Sequence, residues 1–258
     1  MLKIQNIGKN FGGVKAVDDL SFNIDKGEIV GLIGPNGSGK STTINLICGV
    51  FPVDLGNISV DNRNVTGLPT HERVASGISR TFQNIRLFKD LSVWQNIWVA
   101  LQQDSDQSSG WMQEWFGNSK VQKEKIKEIL VFSGLGNRFN DLAGNLSFGE
   151  QRRLELARAI ASKPKLILLD EPAAGMNSDE VADLRQRILD LKKLGLTVLL
   201  VEHVMDLVMN VVDRIKVERI EFFNRVDGLQ MCRIWGKSAK SDLQNHLLAR
   251  NCKDLTDL

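Results

Sequence analysis

Apolar positions along the first third of the chain come in short runs separated by turns. Residues 2–33 alternate β-like stretches with glycine punctuation at Phe11-Gly12-Gly13 and Lys26-Gly27. Glu28-Ile-Val-Gly-Leu-Ile33 is apolar on consecutive positions and predicts a buried strand. Thr42-Thr-Ile-Asn-Leu-Ile-Cys48 predicts a helix soon after it. Asn57-Ile-Ser-Val60 predicts a short strand, and Ser79-Arg-Thr-Phe82 another, ending at Gln83. Ser92 reads as the N-cap of a helix over Val93–Leu101. The pattern then changes. Gln102 to Gly110 is polar and loop-like. Trp111, Trp115 and Phe116 follow with the spacing of one helical face, which predicts a small helical core; the other use of such a face is to anchor a partner. A charged helix is expected from Lys120 to Phe132. Amphipathic helices are expected over 150–162 and 178–194. Leu166-Ile-Leu-Leu-Asp170 and Leu196-Thr-Val-Leu-Leu-Val201 are short apolar runs between and after them. Strand-sized apolar runs alternating with helices predict an α/β fold with parallel strands covered on both faces.

The turn between the first buried strand and its helix changes this from a fold class to a chemistry. Gly34, Pro35, Asn36, Gly37, Ser38, Gly39, Lys40 and Ser41 match the phosphate-loop pattern G-x-x-x-x-G-K-[ST] at every fixed position. Strand, glycine-rich turn and helix start aim backbone N–H groups at one point, and the helix dipole favours an anion there. The glycines permit close backbone approach. Lys40 is placed to reach the outer phosphates of a nucleotide, and the Ser41 hydroxyl to ligate Mg²⁺, with Thr42 opening the helix behind them.

A second feature fits the same chemistry. The strand-like run ending in Asp170-Glu171 delivers two acids to the edge where open α/β sheets bind ligands. Asp170 is expected to hold Mg²⁺, directly or through water, and Glu171 to polarise the attacking water as general base. A third segment, Leu146-Ser147-Phe148-Gly149-Glu150-Gln151, precedes a strongly helical stretch. Its Ser147 and Gly149 mark a helix N-terminus, either a plain N-cap or a second anion site.

Composition excludes several other classes. The chain has 258 residues, with 33 basic and 31 acidic side chains and a net charge of +2. This near-balance argues against a dedicated nucleic-acid binder. No apolar run reaches the roughly 18–20 residues that span a bilayer. Met1-Leu-Lys-Ile-Gln lacks the apolar core of a secretion signal, so a cytoplasmic location is expected. Cys48, Cys232 and Cys252 are scattered and show no metal spacing, and Cys48 is expected to pack in the core.

Together these segments resemble the ATP-binding subunits of ABC transporters. Leu146–Gln151 looks like a variant of that family's signature motif, Gln83 like its Q-loop glutamine, Ala174-Gly175-Met176-Asn177 like its D-loop and His203 like its switch histidine. Phe11 looks like the aromatic that stacks on adenine. The matches run in the family's order over residues 1–215. Arg80–Phe88, Gln151–Ala157 and Glu171–Asn177 look closest to the branched-chain amino acid importer ATPases.

The resemblance implies a P-loop NTPase fold with an N-terminal antiparallel β subdomain and an inserted helical subdomain over about 84–160. It implies ATP and Mg²⁺, with Ser41, Gln83 and Asp170 at the metal and Glu171, His203, Gln83 and Lys40 in catalysis. It implies a head-to-tail pair of ATPase subunits, in which Ser147, Phe148, Gly149, Glu150 and Gln151 of one subunit close on the ATP held by the other. It further implies membrane permease subunits docking near Arg86, Leu87 and Phe88, a separate solute-binding protein, no nucleic acid, and a place on the cytoplasmic face of the inner membrane. An acid often follows the switch histidine in this family; here Val204 does. After Asp213–Val217 the family pattern breaks, and residues 218–258 show no sustained period of either kind, which reads as an aberrant, poorly ordered end. Other readings are a urea, amide or envelope-lipid transport motor, or a soluble ABC protein acting on ribosomes or DNA. A small-molecule kinase has no use for the signature segment.

Overall fold

A computed structural model describes residues 1–101 and 119–217. The aromatic run Trp111, Trp115 and Phe116 and the segment 218–258 lie outside the described residues.

The first unit is an antiparallel sheet of β1 (Leu2–Phe11), β2 (Val14–Ile24), β4 (Leu55–Val60) and β5 (Arg63–Asn64), in the order β2-β1-β4-β5. The second is a parallel sheet in the order β6-β7-β8-β3-β9: β6 (Ile78–Arg80), β7 (Leu166–Asp170), β8 (Thr197–Val201), β3 (Ile29–Ile33) and β9 (Arg214–Val217). Every residue of β3, β7 and β8 is buried, as expected of parallel strands covered on both faces.

Strand side chains alternate between two cores. Val30, Leu32, Leu166, Leu168, Leu199 and Val201 face the antiparallel sheet and α1 (Lys40–Cys48), where Cys48 is also buried. Burial pushes the Cys48 thiol up to about 11. Ile29, Ile33, Ile167, Leu169, Val198 and Leu200 face α6 (Ser178–Lys193) and α7 (Met205–Val211). A third core joins α3 (Val93–Leu101), α4 (Ser119–Phe132) and α5 (Phe148–Ala161) through Val93, Ile97, Ile126, Leu130, Leu154 and Ala157. Ser92 and Gln95 exchange bonds at the start of α3.

Several boundaries differ from the expectation by a residue or two. The strand expected over 79–82 ends at Arg80, although Thr81 N–H still donates to Leu168 O at 2.9 Å. The chain leaves the sheet at Phe82 because α5 takes both backbone groups of that residue. Phe82 N–H donates to Glu155 Oε1 at 3.1 Å, and Arg152 Nη1 donates to Phe82 O at 2.8 Å. Helix α5 begins at Phe148, two residues early, because Ser147 and Glu150 cap it reciprocally. Helix α6 stops at Lys193, where Gly195 follows in the left-handed region at φ 77°.

Helix α2 (Thr70–Ala75), with no counterpart in the sequence reading, brings Arg73 into the interior. The residue is 1% exposed, and its guanidinium donates to Leu46 O, Ile47 O, Leu68 O and Thr66 O. It thereby satisfies Ile47 O at the end of α1 and adds a second donor to Leu46 O, which also accepts from the Gly49 N–H at 3.2 Å.

Candidate active site

The phosphate loop leaves β3 at Ile33 and enters α1 at Lys40. Gly37 and Gly39 sit at φ 82° and 99°. A Cβ on Gly39 would stand 2.3 Å from Ala16 O, so this position needs glycine for both angle and space. Lys40 is 6% exposed, and its Nζ donates to Gly34 O at 2.8 Å and Pro35 O at 2.7 Å. Ser38 Oγ is buried without a hydrogen-bond partner, an orphan polar atom inside the loop. Asn36, Gly37 and Ser41 are exposed. This cradle fits a chain of phosphates.

Parallel pairing places the ends of β3, β7 and β8 side by side, with Leu32 opposite Val201 and Val201 opposite Asp170. The phosphate loop, the Asp170-Glu171 pair and the Glu202-His203 pair therefore emerge at one edge. Glu171 takes φ 47°, unusual for a side-chain-bearing residue, and its N–H donates to Val201 O at 2.9 Å. Gln83 Nε2 donates to Glu171 Oε2 at 2.6 Å, which joins two predicted site residues from segments 88 apart. His203 is exposed at the end of β8.

Asp170 is buried and paired with Arg80 at 2.8 Å. Arg80 also donates to Asn45 Oδ1 at 2.6 Å, so it ties β6, β7 and α1 together. Sequence reasoning missed Arg80. The signal was present: an acid ending a fully apolar strand needs a counter-charge. The carboxylates of Asp170 and Glu171, the Ser41 hydroxyl and the Gln83 carbonyl are hard-oxygen donors of the type Mg²⁺ takes.

Phe11 is 44% exposed, edge-on to Phe51 at 5.2 Å, with Lys9 Nζ 5.5 Å from its ring centre. Lys9 is held by Asp54 at 2.6 Å. The arrangement leaves an aromatic face at the surface, as a base-stacking role needs.

The signature segment begins α5. Ser147 Oγ accepts from Glu150 N at 3.3 Å, and Glu150 Oε2 accepts from Ser147 N at 2.9 Å. That backbone N–H, with Arg138 at 3.0 Å from Oε1, holds the Glu150 carboxyl below its ordinary range. Gln151 Nε2 donates to Leu146 O at 2.9 Å. Gly149 is buried against α6, where a Cβ would lie 2.4 Å from Glu180 Oε1. Phe148 is exposed and lies against Gly175 of the next loop: a Cβ there would be 3.4 Å from its ring.

Between the Q-loop and α2 lies a cleft of about 660 Å³. Arg86, Leu87, Phe88, Val99 and Val74 line it, and so do Arg80 and Glu155 beneath. Arg158 donates to Arg86 O and lies 4.8 Å from the Phe88 ring, fixing this rim to α5. Burial pushes the Glu155 carboxyl up and the Arg158 guanidinium down.

A family profile described as ABC transporter matches residues 17–174. The chain is 38% identical over 223 residues to the high-affinity branched-chain amino acid transport ATP-binding protein LivG of Salmonella typhimurium, covering 84% of this chain and 87% of that one. It is 37% identical over 202 residues to the lipopolysaccharide export system ATP-binding protein LptB of Escherichia coli, covering 78% and 80%. Among solved structures it resembles the dimeric post-hydrolysis state of the ATP-binding cassette MJ0796 bound to ADP and Pi. There the TM-score is 0.72 at 27% identity, over 84% of this chain and 94% of that one.

Proposed function

The chain belongs to the family of ABC transporter ATP-binding proteins, and from that premise we propose that it is the ATP-hydrolysing motor of a branched-chain amino acid importer. The observation that carries the motor is the Gln83–Glu171 hydrogen bond beside the phosphate loop. It supports reading Glu171 as the base and Gln83 as its orienting amide, for water attacking a terminal phosphate held by Gly34–Thr42. The amino acid cargo rests on likeness to the Salmonella relative.

In this reading Phe11 stacks on adenine, and the backbone of Gly34, Pro35, Asn36, Gly37, Ser38 and Gly39 wraps the phosphates. Lys40 exchanges its two loop carbonyls for phosphate oxygens. Ser41, Gln83 and Asp170 would hold Mg²⁺, which when bound neutralises phosphate charge. Glu171 accepts the proton of the attacking water, and His203 contacts the terminal phosphate. Ser147, Phe148, Gly149, Glu150 and Gln151 close on the nucleotide of a second subunit, as in head-to-tail ATPase pairs. Ser147 and Glu150 already cap α5 for one another, so that contact falls to the exposed start of α5 at Ser147 and Phe148.

The cassette spans 1–217, with the helical subdomain over about 84–160. Phe88, 47% exposed at the lip of the cleft, and Leu87 supply an apolar seat for a permease segment. No helix among the described residues is long and apolar enough to cross a membrane. In this reading permease subunits anchor the motor to the cytoplasmic face, and a separate solute-binding protein delivers cargo. A second reading, lipid export, is favoured by the 37% identity to the Escherichia coli exporter ATPase.

Uptake of labelled leucine, isoleucine and valine by cells lacking the gene separates the two. Loss of uptake, restored by the wild-type gene and not by Lys40→Ala, is expected. Normal uptake with defective envelope-lipid export would establish the second reading instead.

A further inference from the structure

Glu202 is 1% exposed at the end of β8. Its Oε2 accepts from the Ala173 N–H at 3.1 Å, and its Oε1 from the N–H groups of His203 at 2.9 Å and Val204 at 3.2 Å. The same Oε1 stands 3.4 Å from His203 Nδ1. Ala173 is two residues beyond Glu171. One carboxylate therefore bridges the loop that carries the base and the loop that carries the histidine.

A buried carboxylate is tolerated only when its oxygens are hydrogen-bonded. Here both are, and by donors from two segments that share no sequence neighbourhood. An uncharged side chain could satisfy part of that donor set. What the carboxylate adds is a charge facing one edge of an exposed imidazole. That edge, carrying Nδ1, turns inward, and Nε2 is left as the ring nitrogen for an external partner.

We propose that Glu202 is a positioning residue for ATP hydrolysis, tying the His203 loop to the Ala173 backbone and so fixing the ring orientation of His203. The inference rests on the reading of His203 as a contact of the terminal phosphate. The step it serves is set by small displacements of these loops, so misplacement lowers turnover more than nucleotide affinity.

The test is a double-mutant cycle on the full chain, reading kcat and KM for Mg-ATP in Glu202→Gln, His203→Ala and the combined variant. Glu202→Gln keeps the size of the side chain and removes its charge. It is expected to lower kcat about tenfold with KM changed by less than about twofold. The combined variant is expected to be no slower than His203→Ala alone. Losses that multiply, or Glu202→Gln at wild-type kcat, would overturn the inference while leaving the histidine's role intact. His203→Ala with wild-type kcat would instead overturn the reading of His203, and the inference with it. Should Glu202→Gln not accumulate as folded protein, Glu202→Asp keeps the charge, withdraws it by one methylene, and is read in the same cycle.

Discussion

Arg80 and Asp170 are 90 residues apart in sequence and 2.8 Å apart in space, with side chains 12% and 5% exposed. Removing one member of such a pair leaves an uncompensated buried charge, which costs about 3–5 kcal/mol. Arg80→Ala is therefore expected to lower stability by that order, read as a lower denaturant midpoint at unchanged slope. A loss under about 0.5 kcal/mol, the level of an ordinary surface change, would show that Asp170 has no need of it. Gly39 meets a different constraint. Its φ of 99° and the 2.3 Å gap to Ala16 O leave no room for a methyl group. Gly39→Ala is expected to abolish Mg-ATP binding and to destabilise by at least about 1–3 kcal/mol, measured by nucleotide titration and thermal unfolding. Binding at wild-type affinity would contradict this account of the loop.

Helix α5 links two of the site's parts, since its first turn is the signature, and its Arg152 and Glu155 hold Phe82 next to Gln83. Its cap has a pH signature. The Ser147 N–H, followed by Arg138, holds the folded Glu150 carboxyl below its ordinary value of 4.5. That contribution is present above the ordinary value and is lost as pH falls through the lower folded value. The stability difference between wild type and Glu150→Gln is thus expected to be constant near neutrality and to vanish in acid. Glu155 carries the opposite sign, because burial raises its carboxyl, but both proteins share it and it cancels in the difference. A difference independent of pH would refute the cap's ionic character. The two capping boxes, Ser147 with Glu150 and Asn177 with Glu180, also explain why α5 and α6 were legible in the sequence. Helices α2 and α7 were not. They have six and seven residues, with Pro69 and Val204 at N-cap positions that make no side-chain bond. Their placement comes from tertiary contacts, such as those of Arg73, that no local pattern announces. Motif residues of the site were legible because each is tied to a strand end or helix start. Arg80, Glu202 and the α5 clamp on Phe82 were not, because each acts across a distance that sequence spacing does not encode.

At the scale of the whole molecule, two sheets share one core, and the parallel sheet delivers the phosphate loop, both acids and His203 to a single edge. The signature stands on a separate helix packed against α6 through Gly149. Among the described residues the chain has one phosphate-binding cradle, open at Asn36, Gly37 and Ser41, and one signature segment, open at Ser147 and Phe148, which suits a head-to-tail pair in which nucleotide joins two copies or two related subunits. The energetic logic is linkage: a ligand shared across an interface stabilises the assembled state, and its hydrolysis releases it. In the proposed mechanism Glu171, as the general base, ends that state. The most direct measurement is the mass in solution of the Glu171→Gln protein with and without Mg-ATP, alongside its ATP turnover. ATP binding with turnover lost, and a shift from monomer to dimer only when Mg-ATP is present, is the predicted result. Near-normal turnover, or bound ATP with no change in mass, would contradict it.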